Sequence, residues 1–258
     1  QLAIVAAHMR EDVGMPATFR TEADFAPRCT EIPGRRLRIE LARPYSSPQE
    51  PIVPTAGHAP AHVVVLASGS GTVFAALADA LGAGDDVIVT RLVCDQPEAA
   101  VLARARERGI PTEVVPLSDP QQRQTWNREV ADAIARGAPD LVVSAGFMRL
   151  LSDAVLDRFA DRVINTHPAL LPAFPGAHAV RDALAYGVRV TGCTVHVVDT
   201  GVDTGPVIAQ AAVDVGMDDD ETTLHERIKL LERRLLTDVT LRMLRDGWTI
   251  DGRKVTIP

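Results

Sequence analysis

From His62 onward the chain alternates short β-branched runs with helical segments of up to a dozen or more residues, and this rhythm limits its fold more than any other feature. Strands are expected at Val63–Leu66, Val87–Val93, Thr112–Val115, Leu141–Ser144, Val163–Asn165, Gly192–Val198 and Val207–Val213. Most are near-continuous apolar runs, the pattern of strands covered by helices on both faces. Helices are expected at Thr72–Leu81, Pro97–Arg108, Pro120–Arg136 and Ala154–Phe159, with Gly109 and Gly137 as stops. A long helix from about Glu221 to Arg245 follows, opened by the acids Asp218 to Glu221, which suit the positive end of its dipole. The tail, Trp248–Ile257, reads as a hairpin centred on Asp251-Gly252. The expected fold is α/β: an open, mostly parallel, doubly wound sheet, then a long C-terminal helix and a terminal hairpin.

The first 60 residues are unlike the rest. They hold eight of the 18 prolines and seven Arg against seven acids, so all the net charge of −7 falls on residues 61–258. A boundary is expected near Ala59-Pro60-Ala61, with 1–60 a disordered or non-domain leader in which only Arg35–Leu41 suggests a short strand, and 61–258 the folded domain. A chain of 258 residues allows one large domain or two small ones, at ~150 residues per domain. With 27 Lys plus Arg against 34 acids, a phosphate-tracking nucleic-acid surface is not expected, although small anions remain possible ligands. No stretch approaches the ~18–20 apolar residues of a membrane span, and Leu2–Ala7 is too short for the apolar heart of a signal peptide. A cytoplasmic location and no membrane partner are therefore expected. Cys29, Cys94 and Cys193 are odd in number and widely spaced, which suits small buried hydrophobes better than a disulfide framework or a thiolate zinc site.

Three segments carry chemistry. Ser68-Gly69-Ser70-Gly71-Thr72 joins the first strand to the first helix, where glycines let the backbone approach a ligand and free N–H groups can hold a phosphate. It lacks the Gly-Lys-Ser/Thr ending of a triphosphate loop, and Phe74 stands at the third glycine of a dinucleotide fingerprint. A simple tight connection fits it equally well. In the second segment a strand ends in Asn165 and His167 and enters a loop stiffened by Pro168, Pro172, Pro175 and Gly176. Residues 165 and 167 share a side of an extended chain, and ligands of open parallel sheets gather beyond the carboxyl ends of the strands. The third, Asp199 to Pro206, lies between two strands; its acids can cap the turn, or Asp203 can face His167 and stabilise its imidazolium. No spacing motif supports a metal on His167, His196 and Asp203, and none is expected.

In kind and order these segments resemble the phosphoribosylglycinamide formyltransferases, the folate-dependent family of purine biosynthesis. The likeness spans about His62 to Pro258 and rests on Ser68-Gly69-Ser70-Gly71, Ser144-Ala145-Gly146-Phe147-Met148-Arg149-Leu150-Leu151, Asn165-Thr166-His167-Pro168-Ala169-Leu170-Leu171-Pro172, Thr194-Val195-His196 and Val202-Asp203-Thr204-Gly205-Pro206. It implies a formyltransferase-type sheet with a Rossmann-like N-terminal half. It also implies transfer of a formyl group from 10-formyltetrahydrofolate, as co-substrate and without a metal, to the amine of glycinamide ribonucleotide. Asn165, His167 and Asp203 become the catalytic trio, with Asn165 also in the folate site. Gly71, Thr72 and Val73 match the turn that holds the substrate's phosphate, Glu232 an acid that contacts that substrate, and Lys229 lies one helical turn before it. Arg123 matches a folate-contacting arginine, and Met148, Arg149, Leu150 and Leu151 a segment lining the folate pocket. The family often has Asn where Ser70 and Val73 stand, so Val73 offers only its backbone N–H.

The chemistry so implied is alignment of two substrates and stabilisation of a tetrahedral oxyanion by the Asn165 amide and the His167 imidazolium, with Asp203 sustaining the charge on His167 and moving a proton through water. The relatives that hydrolyse 10-formyltetrahydrofolate are one alternative, and a non-catalytic ligand-binding module of the same fold is another. The partners expected are these two small molecules, with the chain a monomer or a homodimer.

Overall fold

The computed structural model describes Ile52, residues 60–84 and residues 86–258. The expected leader, apart from Ile52 and Pro60, lies outside the described residues, and so do the strand expected at Arg35–Leu41 and Cys29.

The strands are β1 (Ala61–Ala67), β2 (Val87–Cys94), β3 (Thr112–Val114), β4 (Leu141–Ser144), β5 (Val163–His167), β6 (Val190–Val197), β7 (Val207–Asp214), β8 (Thr249–Asp251) and β9 (Lys254–Thr256). The helices are α1 (Thr72–Leu81), α2 (Ala100–Glu107), α3 (Arg123–Ala135), α4 (Asp153–Leu156), α5 (Ala179–Tyr186) and α6 (Glu221–Asp246). Seven strands form one sheet in the order β3-β2-β1-β4-β5-β6-β7, and β8 pairs with β9 in the expected terminal hairpin. Neighbours from β3 to β5 are parallel, while β6 runs antiparallel to both β5 and β7.

Strand β1 anchors both layers. Successive side chains of a strand point to opposite faces. Val63 and Val65 accordingly meet Phe74 and Leu77 of α1 and Leu236 and Met243 of α6, whereas Val64 and Leu66 meet Trp126, Val130 and Ile134 of α3. All four of these β1 residues have 0% exposure. Each such burial is worth about 1.5–3 kcal/mol, so apolar residues on both faces are what fix a strand in the middle of this sheet.

Helix α1 buries Phe74, Leu77, Ala78 and Leu81, a helical stripe, and begins directly after Gly71 in a left-handed conformation. Helix α6 opens on a capping box in which Asp220 accepts from the Thr223 N–H, and it buries Leu224, Ile228, Glu232, Leu236 and Met243 along one side. Its end is followed by Trp248, which has 0% exposure and donates from Nε1 to the Asp161 carbonyl at 3.0 Å. Ile52, from the stretch read as leader, pairs with Trp248 through N–H to O distances of 2.8 and 3.2 Å.

Three local differences from expectation have plain causes. The second helix begins at Ala100 and not Pro97, because residues 97–99 form a turn in which the Ala99 N–H reaches Gln96 O at 3.2 Å. The third opens with a 3₁₀ turn, Pro120–Gln122, capped by the Asp119 carboxylate, before α3 proper. Helix α5 was not expected: it is eight residues long, begins three residues after Gly176 of the proline-rich loop, and buries only Ala179, Val180 and Ala183, too little for a clear period.

Between β1 and β4 the chain changes direction of growth across the sheet, and at such a switch point the loops beyond the strands diverge and leave a crevice. Ser68 N–H donates to Gly146 O at 3.0 Å, so the loops after β1 and β4 meet there. No helix of the described residues is long and apolar enough to cross a membrane.

Candidate functional site

The turn after β1 is built by the main chain. Gly71 has φ +70°, and a Cβ there would lie 2.4 Å from Val101 Cγ2, so the position demands glycine both for its backbone and for its space. The Gly69 and Ser70 carbonyls are held by the Val101 N–H at 3.1 Å and by Arg104 Nε at 2.8 Å. No side chain caps α1. The first N–H groups of a helix have no intrahelical acceptor, so Gly71, Thr72 and Val73 stand at an uncapped, positive helix end suited to an anion.

The loop after β4 is tied to the first two loops. Ser68 Oγ accepts from the Met148 N–H at 2.8 Å, and Arg149 Nε donates to Asp95 Oδ2 at 2.8 Å. Asp95 is 2% exposed; burial alone would raise its carboxyl, but hydrogen bonds from Ser68, Arg149 and Gln96 outweigh that and hold it below the ordinary carboxylate range. Arg123 lies 4.6 Å over the Trp126 ring and donates from Nη2 to the Leu150 carbonyl at 2.6 Å. The structure therefore brings Arg123 to the 148–151 segment, though as a brace of its backbone. Met148 and Leu150 are 72% and 56% exposed and offer apolar surface beside the crevice, while Leu151 is half-buried against the core.

The trio comes together on the other side of β4. His167, 4% exposed, places Nδ1 3.3 Å from Asp203 Oδ2 and Nε2 2.8 Å from the Phe174 carbonyl. Both ring nitrogens face oxygen acceptors, an arrangement that suits the imidazolium, which donates from both. Asp203 sits at φ +53°, rare for a residue with a side chain, and its Oδ2 accepts from the Gly176 N–H at 2.8 Å. Burial alone would raise this carboxyl; contact with His196, the Gly176 N–H and the charge of His167 together hold it below the ordinary carboxylate range.

One member of this cluster, His196, entered the sequence reading as part of the Thr194-Val195-His196 segment and as a metal candidate that was set aside, but was given no role in the site. His196 faces Asn165 across the β5–β6 register, with its Nε2 3.2 Å from Asn165 Nδ2 and 3.6 Å from Asp203 Oδ1. Its Nδ1 donates to the Val197 carbonyl at 3.0 Å, which fixes the ring so that Nε2 stands between the Asn165 amide and the Asp203 carboxylate. The available signal was the strand alternation that puts His196 opposite Asn165. Among the described residues no group of three or more His, Cys, Asp or Glu is arranged to hold a metal ion.

Glu232 and Lys229 lie apart from this cluster. Glu232 is buried in α6 and accepts from Thr166 Oγ1 at 3.1 Å, on the face of β5 opposite Asn165 and His167; burial pushes its carboxyl up despite that hydrogen bond and the nearby Lys229 and Arg233. Lys229 pairs with Glu226 at 2.8 Å. Cys94 and Cys193 are fully buried, and burial pushes the Cys193 thiol up to about 12, which leaves it no nucleophile.

The chain and its fold have counterparts among known proteins. The family model described as formyl transferase matches residues 61–240. Phosphoribosylglycinamide formyltransferase of Mycobacterium tuberculosis is 50% identical over 210 residues, which are 81% of this chain and 96% of that protein. The enzyme of that name from Escherichia coli is 38% identical over 193 residues, covering 74% of this chain and 88% of its own. Among solved structures, glycinamide ribonucleotide transformylase 1 from Symbiobacterium toebii superposes with a TM-score of 0.74 at 38% identity, covering 77% of this chain and 94% of that one. A sheet of this order, a glycine turn at its switch point and a buried Asn-His-Asp cluster, matched over nearly the whole of such relatives, make this chain a member of the formyltransferase family, in its phosphoribosylglycinamide branch.

Proposed function

We propose that residues 61–258 form a catalytic domain that transfers a formyl group to the amine of glycinamide ribonucleotide, with 10-formyltetrahydrofolate as donor. The observation that carries this reading is the 3.3 Å approach of Asp203 to His167, in a buried cluster that includes Asn165. A neutral amine is already nucleophilic, so the protein's task is alignment and stabilisation of the oxyanion that forms at the formyl carbon. Asn165 supplies one donor, the amide N–H that His196 leaves free. His167 supplies the other once the formyl oxygen takes the place of the Phe174 carbonyl at Nε2. Each such donor is worth ~100–1000-fold in rate. Asp203 orients the ring through Nδ1 and balances its positive charge, and through water it relays the proton lost by the amine to the folate nitrogen that leaves.

The phosphate of the ribonucleotide is assigned to the N–H groups of Gly71, Thr72 and Val73, where the uncapped helix supports the role and where no basic surface is needed. The exposed Met148 and Leu150 and the braced Arg149, with Leu151 behind them, are assigned to the folate. Arg123 serves that site by holding the Leu150 carbonyl. For Glu232 and Lys229, which lie apart from the cluster, contact with the ribonucleotide is supported by the resemblance alone. A two-substrate assay tests the whole: purified protein is given 10-formyltetrahydrofolate with and without glycinamide ribonucleotide, and folate release is followed. Release that requires the amine is expected. Release at the same rate without it would make the protein a hydrolase.

A further inference from the structure

The C-terminal hairpin lies beyond residues 61–240, the stretch matched by the family model, yet it reaches back to the loop that carries Asp203. Arg253, in the hairpin turn, donates from Nη1 to the Thr204 carbonyl at 2.9 Å and from Nη2 to the Gly205 carbonyl at 3.3 Å. These two carbonyls belong to the residues that directly follow Asp203. We propose that Arg253 is a positioning residue for formyl transfer: from the hairpin it fixes the backbone after Asp203, and so keeps the carboxylate on His167.

Four observations support this. The hairpin is a rigid base, because Trp248 and Ile250 are 0% and 2% exposed within the main core and Trp248 is further held on Asp161. The loop it grips stores strain: Asp203 at φ +53° persists only where its surroundings over-determine it. The loop's other ties leave these two carbonyls out: Asp199 Oδ1 takes the Gly201 N–H at 3.1 Å and Thr204 Oγ1 at 2.7 Å, and the next backbone bond is from the Val197 N–H to the Pro206 carbonyl at 2.9 Å. Finally, one side of the loop is open, because a cleft of about 470 Å³, lined in part by Pro175, Val202, Asp203 and Arg253, runs along it. A planar guanidinium presents its N–H donors in a rigid fork, so it can hold two successive carbonyls from a single anchor.

The inference rests on the catalytic reading of Asp203 given above. The test is a double-mutant cycle of Arg253→Met and Asp203→Asn in the full chain, with kcat, KM for both substrates and thermal melting measured for all four proteins. Misplacing a catalytic group from a distance costs up to ~100-fold. Arg253→Met should therefore lower kcat by roughly 10–100-fold with KM little changed in the wild-type background, and lower it no further in Asp203→Asn. Arg253→Lys, which keeps the charge but loses the two-pronged grip, should fall between. If Arg253→Met leaves kcat untouched, or lowers it equally in both backgrounds, Arg253 does not act through Asp203 and the proposal fails. If Asp203→Asn itself turns over like wild type, the catalytic reading of Asp203 fails instead. Arg253 is exposed, so all four proteins are expected to fold; should Arg253→Met melt below the assay temperature, Arg253→Lys runs the same cycle.

Discussion

The two halves of the site are made in different ways. Around Gly71 the working groups are main-chain N–H groups at one helix start, and the segment from β1 into α1 that presents them is continuous in sequence. Around Asp203 the working groups are side chains from β5, β6 and the loop between β6 and β7, brought together by pairing and by ties to other loops. The first half is a product of local backbone geometry, and its failure should be a failure of folding and of substrate capture. The second is a product of long-range assembly around a strained residue, and its failure should be a failure of rate.

The sharpest way to break this contrast is Asp203→Asn. The amide keeps the shape and an acceptor for the Gly176 N–H but cannot balance an imidazolium, so kcat should fall ~100–10,000-fold, the range of general acid–base effects. Melting should move by a few degrees at most, at ~2–4 °C per kcal/mol for a protein of this size. A loss of stability as severe as the loss of rate would mean that the two halves are not separable in this way.

Gly71→Ala probes the other half. Its Cβ meets Val101 at 2.4 Å and its backbone sits at φ +70°, so overpacking and an unfavourable conformation together should cost about 2–5 kcal/mol. Chemical denaturation should show that loss directly. In the fraction that folds, KM for glycinamide ribonucleotide should rise while KM for the folate stays put, and a variant of wild-type stability and wild-type KM would remove the cradle from the picture.

The smallest effect is expected at Glu232, which lies under Thr166 between Asn165 and His167 of β5. Its folded carboxyl is raised by burial. Between the unfolded value, about 4.3, and the raised folded one, the folded state holds a proton that the unfolded state has lost, so this group makes stability fall as pH rises through that window. Glu232→Gln removes the titration and keeps an acceptor for Thr166. Its melting temperature should therefore gain on wild type as pH rises from 4 to 8, and a gap that stayed constant over that range would show that burial does not govern the group.

The same division decides how much was legible in the sequence. The apolar runs at Val63–Leu66 and Leu141–Ser144 marked central strands because such runs have few other uses, and the acids before Glu221 marked a helix start because the dipole favours them there. The strand alternation put Asn165 and His167 on one side, but whether Asp203 faces His167 or caps its own turn stayed open in the sequence, since residues 167 and 203 are separated by a helix and a strand. His196 was not assigned a part with Asn165, because their pairing depends on β6 running antiparallel in one particular register. The bond from Arg123 to the Leu150 carbonyl was not legible for a similar reason: it depends on how α3 packs, not on its neighbours in sequence.

By itself the sequence determined the parts whose causes are local: the strand and helix rhythm, the glycine turn, the caps and the hairpin. Periodicity and backbone sterics act over a few residues and can be read there. Only the tertiary structure decided which side chains share a hydrogen bond across 36 residues, that His196 stands beside Asn165, and that a hairpin arginine grips the Asp203 loop. Those contacts depend on strand order, register and loop closure, which are settled by the packing of the whole chain and have no local signature.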